Sequence, residues 1–204
     1  NNQLSNNSVW SVQGKSLNDI WIGTIGGLNH VSLSDDLTTA TIQSYLAPRL
    51  PNNRIKALSY DREGNLWLGT WGGGISKLMM TASGGIETTT FKSSADIQKS
   101  LLSNLILSIH ADSKNRIWAG TLSGLSVYEP TENRFYNYMS SAKDSNAISD
   151  NYVYAVTETR DGTIWAGTAR GLNQFLPATK SFKSYQTDPK NLTSLNHNKI
   201  NVIF

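Results

Sequence analysis

Asp61-Arg62-Glu63-Gly64-Asn65-Leu66-Trp67-Leu68-Gly69-Thr70-Trp71-Gly72-Gly73-Gly74-Ile75 holds the pattern that decides the fold. Its first five residues read as a hairpin turn, because Gly and Asn tolerate positive φ. The next five read as a strand that is apolar on both faces, as a strand buried between two sheets must be. A Gly-rich turn follows, and Ile75 opens another strand.

The central pentapeptide recurs. Ile20-Trp21-Ile22-Gly23-Thr24, Ile117-Trp118-Ala119-Gly120-Thr121 and Ile164-Trp165-Ala166-Gly167-Thr168 repeat it, with the tryptophans 46, 51 and 47 residues apart. A second motif keeps the same period. It centres on Asn7, Asn53, Asn104, Asn151 and Asn198. An apolar residue lies three positions before each (Leu4, Leu50, Leu101, Ile148, Leu195) and a β-branched one two after (Val9, Ile55, Ile106, Val153, Ile200). Two motifs in register at one period are the signature of a repeat architecture.

Each unit reads as four strands. The first begins two residues after the Asn, and the Trp motif is the second. The third starts at Leu28, Ile75, Leu125 and Leu172. The fourth pairs an apolar residue with a Tyr three later: Ile42 with Tyr45, Phe135 with Tyr138, Phe182 with Tyr185. In the second unit Phe91 opens that strand and Ser94 stands for the Tyr. Units crowded with Gly, Asn, Thr and β-branched residues in alternation rule against a helical repeat.

The expected fold is therefore all-β. It is a β-propeller of four complete four-stranded blades, at about 4–49, 50–100, 101–147 and 148–194, plus the first strand of a fifth at 195–204. A seven-bladed ring, of which this would be part, needs roughly 330 residues at this period. The fifth strand should run to Phe204. Neither end supplies strands the other lacks, so closure by exchange is not expected and an unpaired blade face should be open to association. All four tryptophans are expected between blades, and the recurring Asn is expected to satisfy backbone groups in the turn entering the first strand.

Composition narrows the function classes. Charged residues make up 16% and the net charge is +3, with the basic residues scattered, so no nucleic-acid footprint is indicated. The chain has no cysteine, which removes thiol chemistry, Cys-ligated metals and disulfides. No run of 18 apolar residues occurs, so no membrane span is expected in this segment. No cofactor is indicated.

Strand direction alternates within a blade. The lead-in loop to strand one and the loop after the Trp strand thus share one face of the ring, opposite the Asp/Gly hairpins. Functional positions on that face should vary from blade to blade. The post-Trp loop does so (Ile25-Gly26, Trp71-Gly72, Leu122-Ser123, Ala169-Arg170). So does the position before the Asn (Asn6, Asn52, Ser103, Asp150, His197), and the one three after it (Trp10, Lys56, Leu107, Tyr154, Asn201). Trp71, Arg170, Tyr154, His197 and Asn198 are the candidate ligand-binding residues. Trp71 offers a stacking surface, Arg170 and His197 hydrogen-bond donors, and Tyr154 either. An aromatic face beside such groups suits a sugar. The competing reading is that Trp71 covers the blade top and Arg170 is simply solvated.

Other motifs have structural explanations. His30, His110 and His197 sit at different places in the repeat, which argues against a shared metal site. Asp61, Asp112 and Asp161 resemble acid–base groups, but each lies at a turn. Gly72-Gly73-Gly74 is not followed by a helix, so a phosphate loop is not supported. Asn6-Asn7-Ser8 and Asn191-Leu192-Thr193 match glycosylation sequons, which matter only in a eukaryotic secretory setting.

Leu50-Pro51-Asn52-Asn53-Arg54-Ile55, then Asp61 to Thr70, then Trp71-Gly72-Gly73-Gly74-Ile75 resemble the two-component regulator propeller repeat. The linker Thr187-Asp188-Pro189-Lys190-Asn191-Leu192-Thr193-Ser194-Leu195 is similar to that family's inter-blade segment. Ser103 for the first Asn of the pair, Asn115 for the hairpin Gly and Gln13-Gly14-Lys15-Ser16-Leu17-Asn18 for an Asp-x-x-Gly turn depart from it. The resemblance implies the periplasmic sensor region of an inner-membrane hybrid histidine kinase. It implies an oligosaccharide ligand, signalling to the transcription of glycan-use genes, neighbouring propellers as partners and a homodimer in the intact receptor. On this reading the segment is not itself an enzyme, and the kinase domain lies outside it. The rival readings are a propeller scaffold without a small ligand and a propeller lyase or hydrolase.

Overall fold

The computed structural model describes residues 3–81 and 85–203. Among the described residues sixteen strands form four antiparallel four-stranded sheets, each meandering in sequence order. Blade one holds β1 (Val9–Ser16), β2 (Asp19–Thr24), β3 (Gly27–Leu33) and β4 (Ala40–Tyr45). Blade two holds β5 (Ile55–Tyr60), β6 (Leu66–Thr70), β7 (Ile75–Met80) and β8 (Ile86–Phe91). Blade three holds β9 (Ile106–Ala111), β10 (Ile117–Thr121), β11 (Gly124–Glu129) and β12 (Arg134–Tyr138). Blade four holds β13 (Val153–Glu158), β14 (Ile164–Thr168), β15 (Gly171–Leu176) and β16 (Ser181–Tyr185). The first strands β1, β5, β9 and β13 adjoin in succession, which places them innermost. The expected propeller architecture is what the chain adopts.

The core lies in the gaps between blades, one apolar cluster to each gap. Trp21, Leu28 and Tyr45 pack on Leu58, Leu66 and Leu78 of the next blade. Trp67 and Ile75 meet Ile109, Tyr128 and Phe135. Trp118 and Leu125 meet Val156, Phe175 and Phe182. Trp21, Trp67 and Trp118 are fully buried. Trp165 corrects the expectation for the fourth: it is only half-buried, because no fifth-blade sheet lies beside it among the described residues.

The motif residues explain themselves once the blades are stacked. A Cβ on Gly69 would come within 2.5 Å of Ile106 Cγ2, and one on Gly120 within 2.5 Å of the Val153 carbonyl oxygen. This position is Gly because the next blade's first strand runs directly against it. Gly167 faces Ile200 in the same way, with Ile200 Cγ2 at 2.7 Å from such a Cβ. Ile200 therefore occupies the place of the other first-strand residues, and its N–H donates to Thr168 O at 2.9 Å. Residues 199–203 nonetheless form no strand, since the described chain has no second strand there to pair with. Phe204 lies outside the described residues.

The motif Thr is completely buried in every blade. Thr70 Oγ1 donates to Gly74 O at 3.0 Å and accepts the Gly73 N–H at 2.9 Å, pinning the turn that follows. Thr24, Thr121 and Thr168 do the same.

Two registers differ from the sequence reading. Phe91 ends β8 and pairs with Ile75, as Tyr45 pairs with Leu28 and Tyr138 with Leu125. Phe91 is thus the counterpart of the Tyr, and Thr88, opposite Leu78, is the counterpart of Ile42. Matching aromatic to aromatic shifted this strand by three residues. Asp161 is also out of register with Asp61 and Asp112, lying four rather than six residues before its tryptophan.

Candidate functional site

The lead-in and post-Trp loops meet on one face. The N–H groups of Ile25, Trp71, Leu122 and Ala169 donate to the carbonyls of Ser8, Arg54, Leu105 and Tyr152. Side chains lock the lead-in loop from below. Asn53 Oδ1 accepts the Ala47 N–H at 2.7 Å, and Asn104, Asn151 and Asn198 accept from Ser93, Ser140 and Thr187 at 2.7 to 2.8 Å. This is the backbone service expected of the recurring Asn. Asn198 performs it like its counterparts, so the carbonyl oxygen of its side chain is already engaged.

The position before the Asn varies in identity but not in what it does. Asn6 Oδ1 accepts the Ser8 N–H, Asn52 that of Arg54, Ser103 Oγ that of Leu105 and Asp150 Oδ1 that of Tyr152. His197 Nδ1 accepts the Lys199 N–H at 2.9 Å. Each residue closes the same two-residue side-chain turn, so the position requires an acceptor. With Nδ1 accepting, the neutral His197 ring carries its proton on Nε2, which has no hydrogen-bond partner among the described residues.

The remaining candidates separate. Trp71 is half-buried and bridges through its backbone to Leu105 of blade three. Tyr154, on the innermost strand, carries Lys199 Nζ 5.1 Å from its ring centroid. Lys56 sits over Trp10 in the equivalent place at 4.8 Å. Arg170 is 75% exposed, with Nε 3.4 Å from Asp150 Oδ2. Its carbonyl accepts from Gln186 Nε2 at 2.6 Å. The structure therefore groups Tyr154 with Lys199 beside His197, and Arg170 with Asp150, while Trp71 engages a different blade.

Arg170 and Asp150 border a groove of about 820 Å³ between linker residues 140–150 and strand β16. Ser140, Ser141, Ser145 and Ser184 line it together with Lys183 and Gln186. Ile148 and Phe182 supply an apolar floor. Hydroxyl, amide, guanidinium and carboxylate groups over an apolar base suit a polyhydroxylated ligand. Arg170 was expected from the sequence on this face, but the groove was not, because the linker that forms its wall differs in length and composition from blade to blade.

On the opposite face the hairpin carboxylates serve the tryptophans. Trp67 Nε1 donates to Asp61 Oδ2 at 2.9 Å and Trp118 Nε1 to Asp112 Oδ2 at 2.8 Å. In blade one Asp19 accepts from Trp21 Nε1, from Tyr60 and from His30. Burial pushes the Asp61 carboxyl up, but hydrogen bonds from Asn65 and Trp67 outweigh that and hold it below the usual carboxylate range. Burial, then Asp19, pushes the Tyr60 hydroxyl well up. Among the described residues no group of three His, Cys, Asp or Glu side chains is placed to hold a metal.

The four stacked blades define a segment of a β-propeller. Residues 49–72, 100–123 and 147–170 match the two component regulator propeller family model. Blade one, with its divergent hairpin, lies outside the matched segments. Histidine kinase P4 of Formosa agariphila is 30% identical over 113 residues, which are 53% of this chain and 8% of that protein. The extracellular domain of the hybrid two component system BT3049 from B. thetaiotaomicron superposes with a TM-score of 0.70 at 25% identity, over 87% of this chain and 23% of that one. The extracellular domain of the hybrid two component system BT4673 from the same organism shares the fold at a TM-score of 0.75 and 22% identity, over 97% of this chain and 24% of that one. The chain spans less than a quarter of each of these proteins.

Proposed function

We propose that this chain is part of the extracytoplasmic, periplasmic sensor region of a bacterial hybrid two-component histidine kinase. Its lead-in-loop face takes part in recognising an oligosaccharide, and the intact receptor, as a homodimer, relays that binding to transcription of glycan-use genes. The observation that carries the reading is the combination of matches to the two component regulator propeller in three blades with a loop face whose framework repeats while its exposed groups do not. Arg170 and the groove beside it, the half-buried Trp71, Tyr154 with Lys199, and the Nε2 of His197 are the groups available to a ligand. Asp150 and His197 both hold their own loops, and among the described residues Asp150 pairs with Arg170 rather than with a second acid or base, which favours a binding module over a lyase or hydrolase.

The test is a thermal-shift series with soluble oligosaccharides, since a ligand that binds only the folded chain raises its melting temperature. A positive shift supports the sensor over a bare scaffold. In the intact receptor, Trp71→Ala and Arg170→Ala should weaken the ligand response with little change in melting temperature. Normal response from both places the site elsewhere. Turnover of a glycan by the purified chain would overturn the non-enzymatic reading.

A further inference from the structure

The gaps between blades two and three and between blades three and four are built from equivalent residues. Trp67 and Trp118 floor them, Phe91 matches Tyr138, and Tyr128 matches Phe175 across the gap. Two of their differences set how far each gap is filled. Between blades three and four the Arg116 guanidinium lies 5.0 Å from the Trp118 ring, and Tyr136 covers the outer side with Lys180 4.5 Å above it. Between blades two and three the counterparts are the short Asn65 and Thr89. Asn65 turns back onto Asp61, at 2.9 and 3.1 Å from its two carboxylate oxygens. The crevice left open has about 310 Å³, against about 210 Å³ for its plugged neighbour.

We propose that this crevice is a second binding site, on the face opposite the lead-in loops, and that it takes a single neutral sugar ring. Its floor is aromatic: Trp67, Phe91 and Tyr128 are mutually packed with centroids 4.6 to 6.0 Å apart. Its rim mixes donors and acceptors. Lys77 Nζ lies 3.5 Å from Glu63 Oε2, and that Lys already neutralises the carboxylate. Asn115, which also lines the crevice, accepts the Arg62 N–H through Oδ1 at 2.9 Å, so its amide group has only donors left to offer. Asp61, whose oxygens already accept from Trp67 and Asn65, leaves the lining one negative charge in excess of Lys77, which disfavours an anion, and an apolar base under such donors and acceptors fits the C–H face and hydroxyl edge of a pyranose. The site is independent of the groove at Arg170 and stands or falls separately.

The test is an NMR titration of the 204-residue chain with D-glucose, D-galactose, D-mannose and N-acetyl-D-glucosamine, following the Trp67 indole N–H apart from that of Trp165. One or more of these sugars should move the Trp67 signal with millimolar affinity. Thr89→Tyr, and Thr89→Tyr with Asn65→Arg, reproduce the plug of the neighbouring gap. Arg116 shows that an Arg at the second position keeps its hairpin carboxylate, with Nε 2.6 Å from Asp112 Oδ2. Both variants should weaken the response about tenfold or more, while Arg170→Ala leaves it unchanged. If no sugar moves the Trp67 signal, or if the plugged variants respond like the parent with the fold confirmed by their amide spectra, the proposal is wrong.

Discussion

Asp112 accepts the indole N–H of Trp118 from six residues upstream, at 2.8 Å, with the carboxylate almost wholly buried. The same carboxylate takes the backbone N–H groups of Lys114 and Arg116 and the Arg116 Nε. One side chain thus closes the hairpin, orients the Trp between blades and pairs the cation above it. Asp112→Ala should cost about 3 kcal/mol, because it strands a buried indole N–H and unpairs a half-buried guanidinium. Asp161→Ala, whose carboxylate is exposed and accepts only from Thr159 and Thr163, should be nearly silent. Urea unfolding of the two variants checks the contrast. Equal midpoints would show that the hairpin turn alone accounts for both residues.

A second prediction concerns acid. Burial lowers the proton affinity of His110, with Glu158 and Asp112 opposing the effect. Its Nε2 is buried and finds no hydrogen-bond partner among the described residues. Above about pH 6.5 the ring is neutral whether the chain is folded or not, and no penalty arises. As pH falls through that value the unfolded chain takes up a proton that the folded one refuses. Stability then drops by up to about 1.4 kcal/mol for each unit by which the fold lowers the pKa. His110→Gln should flatten the fall in melting temperature between about pH 7 and about pH 5.5. An unchanged slope would place the acid sensitivity elsewhere.

The fold was legible because its determinants are short-range and repeated. Trp21, Gly23 and Thr24 carry a blade's packing, close approach and turn within four residues, and the same set returns three times. The recurring Asn was legible for the same reason. The site was harder to read because the positions that vary are not all free to bind. His197 differs from Asn6 and Asn52 in type yet closes the same turn, and only the hydrogen bond to Lys199 shows it. Asp61 and Asp112 looked like turn residues because the indole they hold is reached through the hairpin, not along a pattern. Strand β8 slipped in the reading because Phe91 replaces a Tyr and Thr88 replaces its apolar partner, removing both markers at once.

The fourth tryptophan should behave unlike the others. Trp67→Ala or Trp118→Ala removes a buried side chain from between two blades and should cost about 3–5 kcal/mol. Trp165, half-buried beside Tyr185 at 5.7 Å between centroids, lines an open recess of about 500 Å³ with Leu172 and Leu195. Trp165→Ala should cost about 1–2 kcal/mol in this 204-residue chain, since less surface leaves water there. In a longer chain that supplies the following blade, the cost should rise to match the other two. Denaturant midpoints of the two lengths decide the matter, and equal costs for Trp165 in both would mean that the recess is not where the next blade packs.

The last prediction separates two functions of one ring. In His197, which is exposed, Nδ1 accepts the Lys199 N–H to shape the loop, which leaves Nε2 as the donor of the neutral ring, and Lys199 in turn lies over Tyr154. His197→Asn restores the acceptor that Asn6 and Asn52 use at this position, but it removes the donor at the far side of the ring. His197→Ala removes both. If His197 serves only the loop, Asn should behave as the parent does and Ala should lower the melting temperature, with an acceptor loss of about 1 kcal/mol. If it also meets the ligand, both variants should lose response to oligosaccharide in the intact receptor, while only Ala loses stability. The Asn variant is the decisive one, because it keeps the loop and changes nothing but the group a ligand would meet. Full response from a stable His197→Asn receptor would remove His197 from the site and leave Arg170 and Tyr154 to carry recognition on this side of the ring.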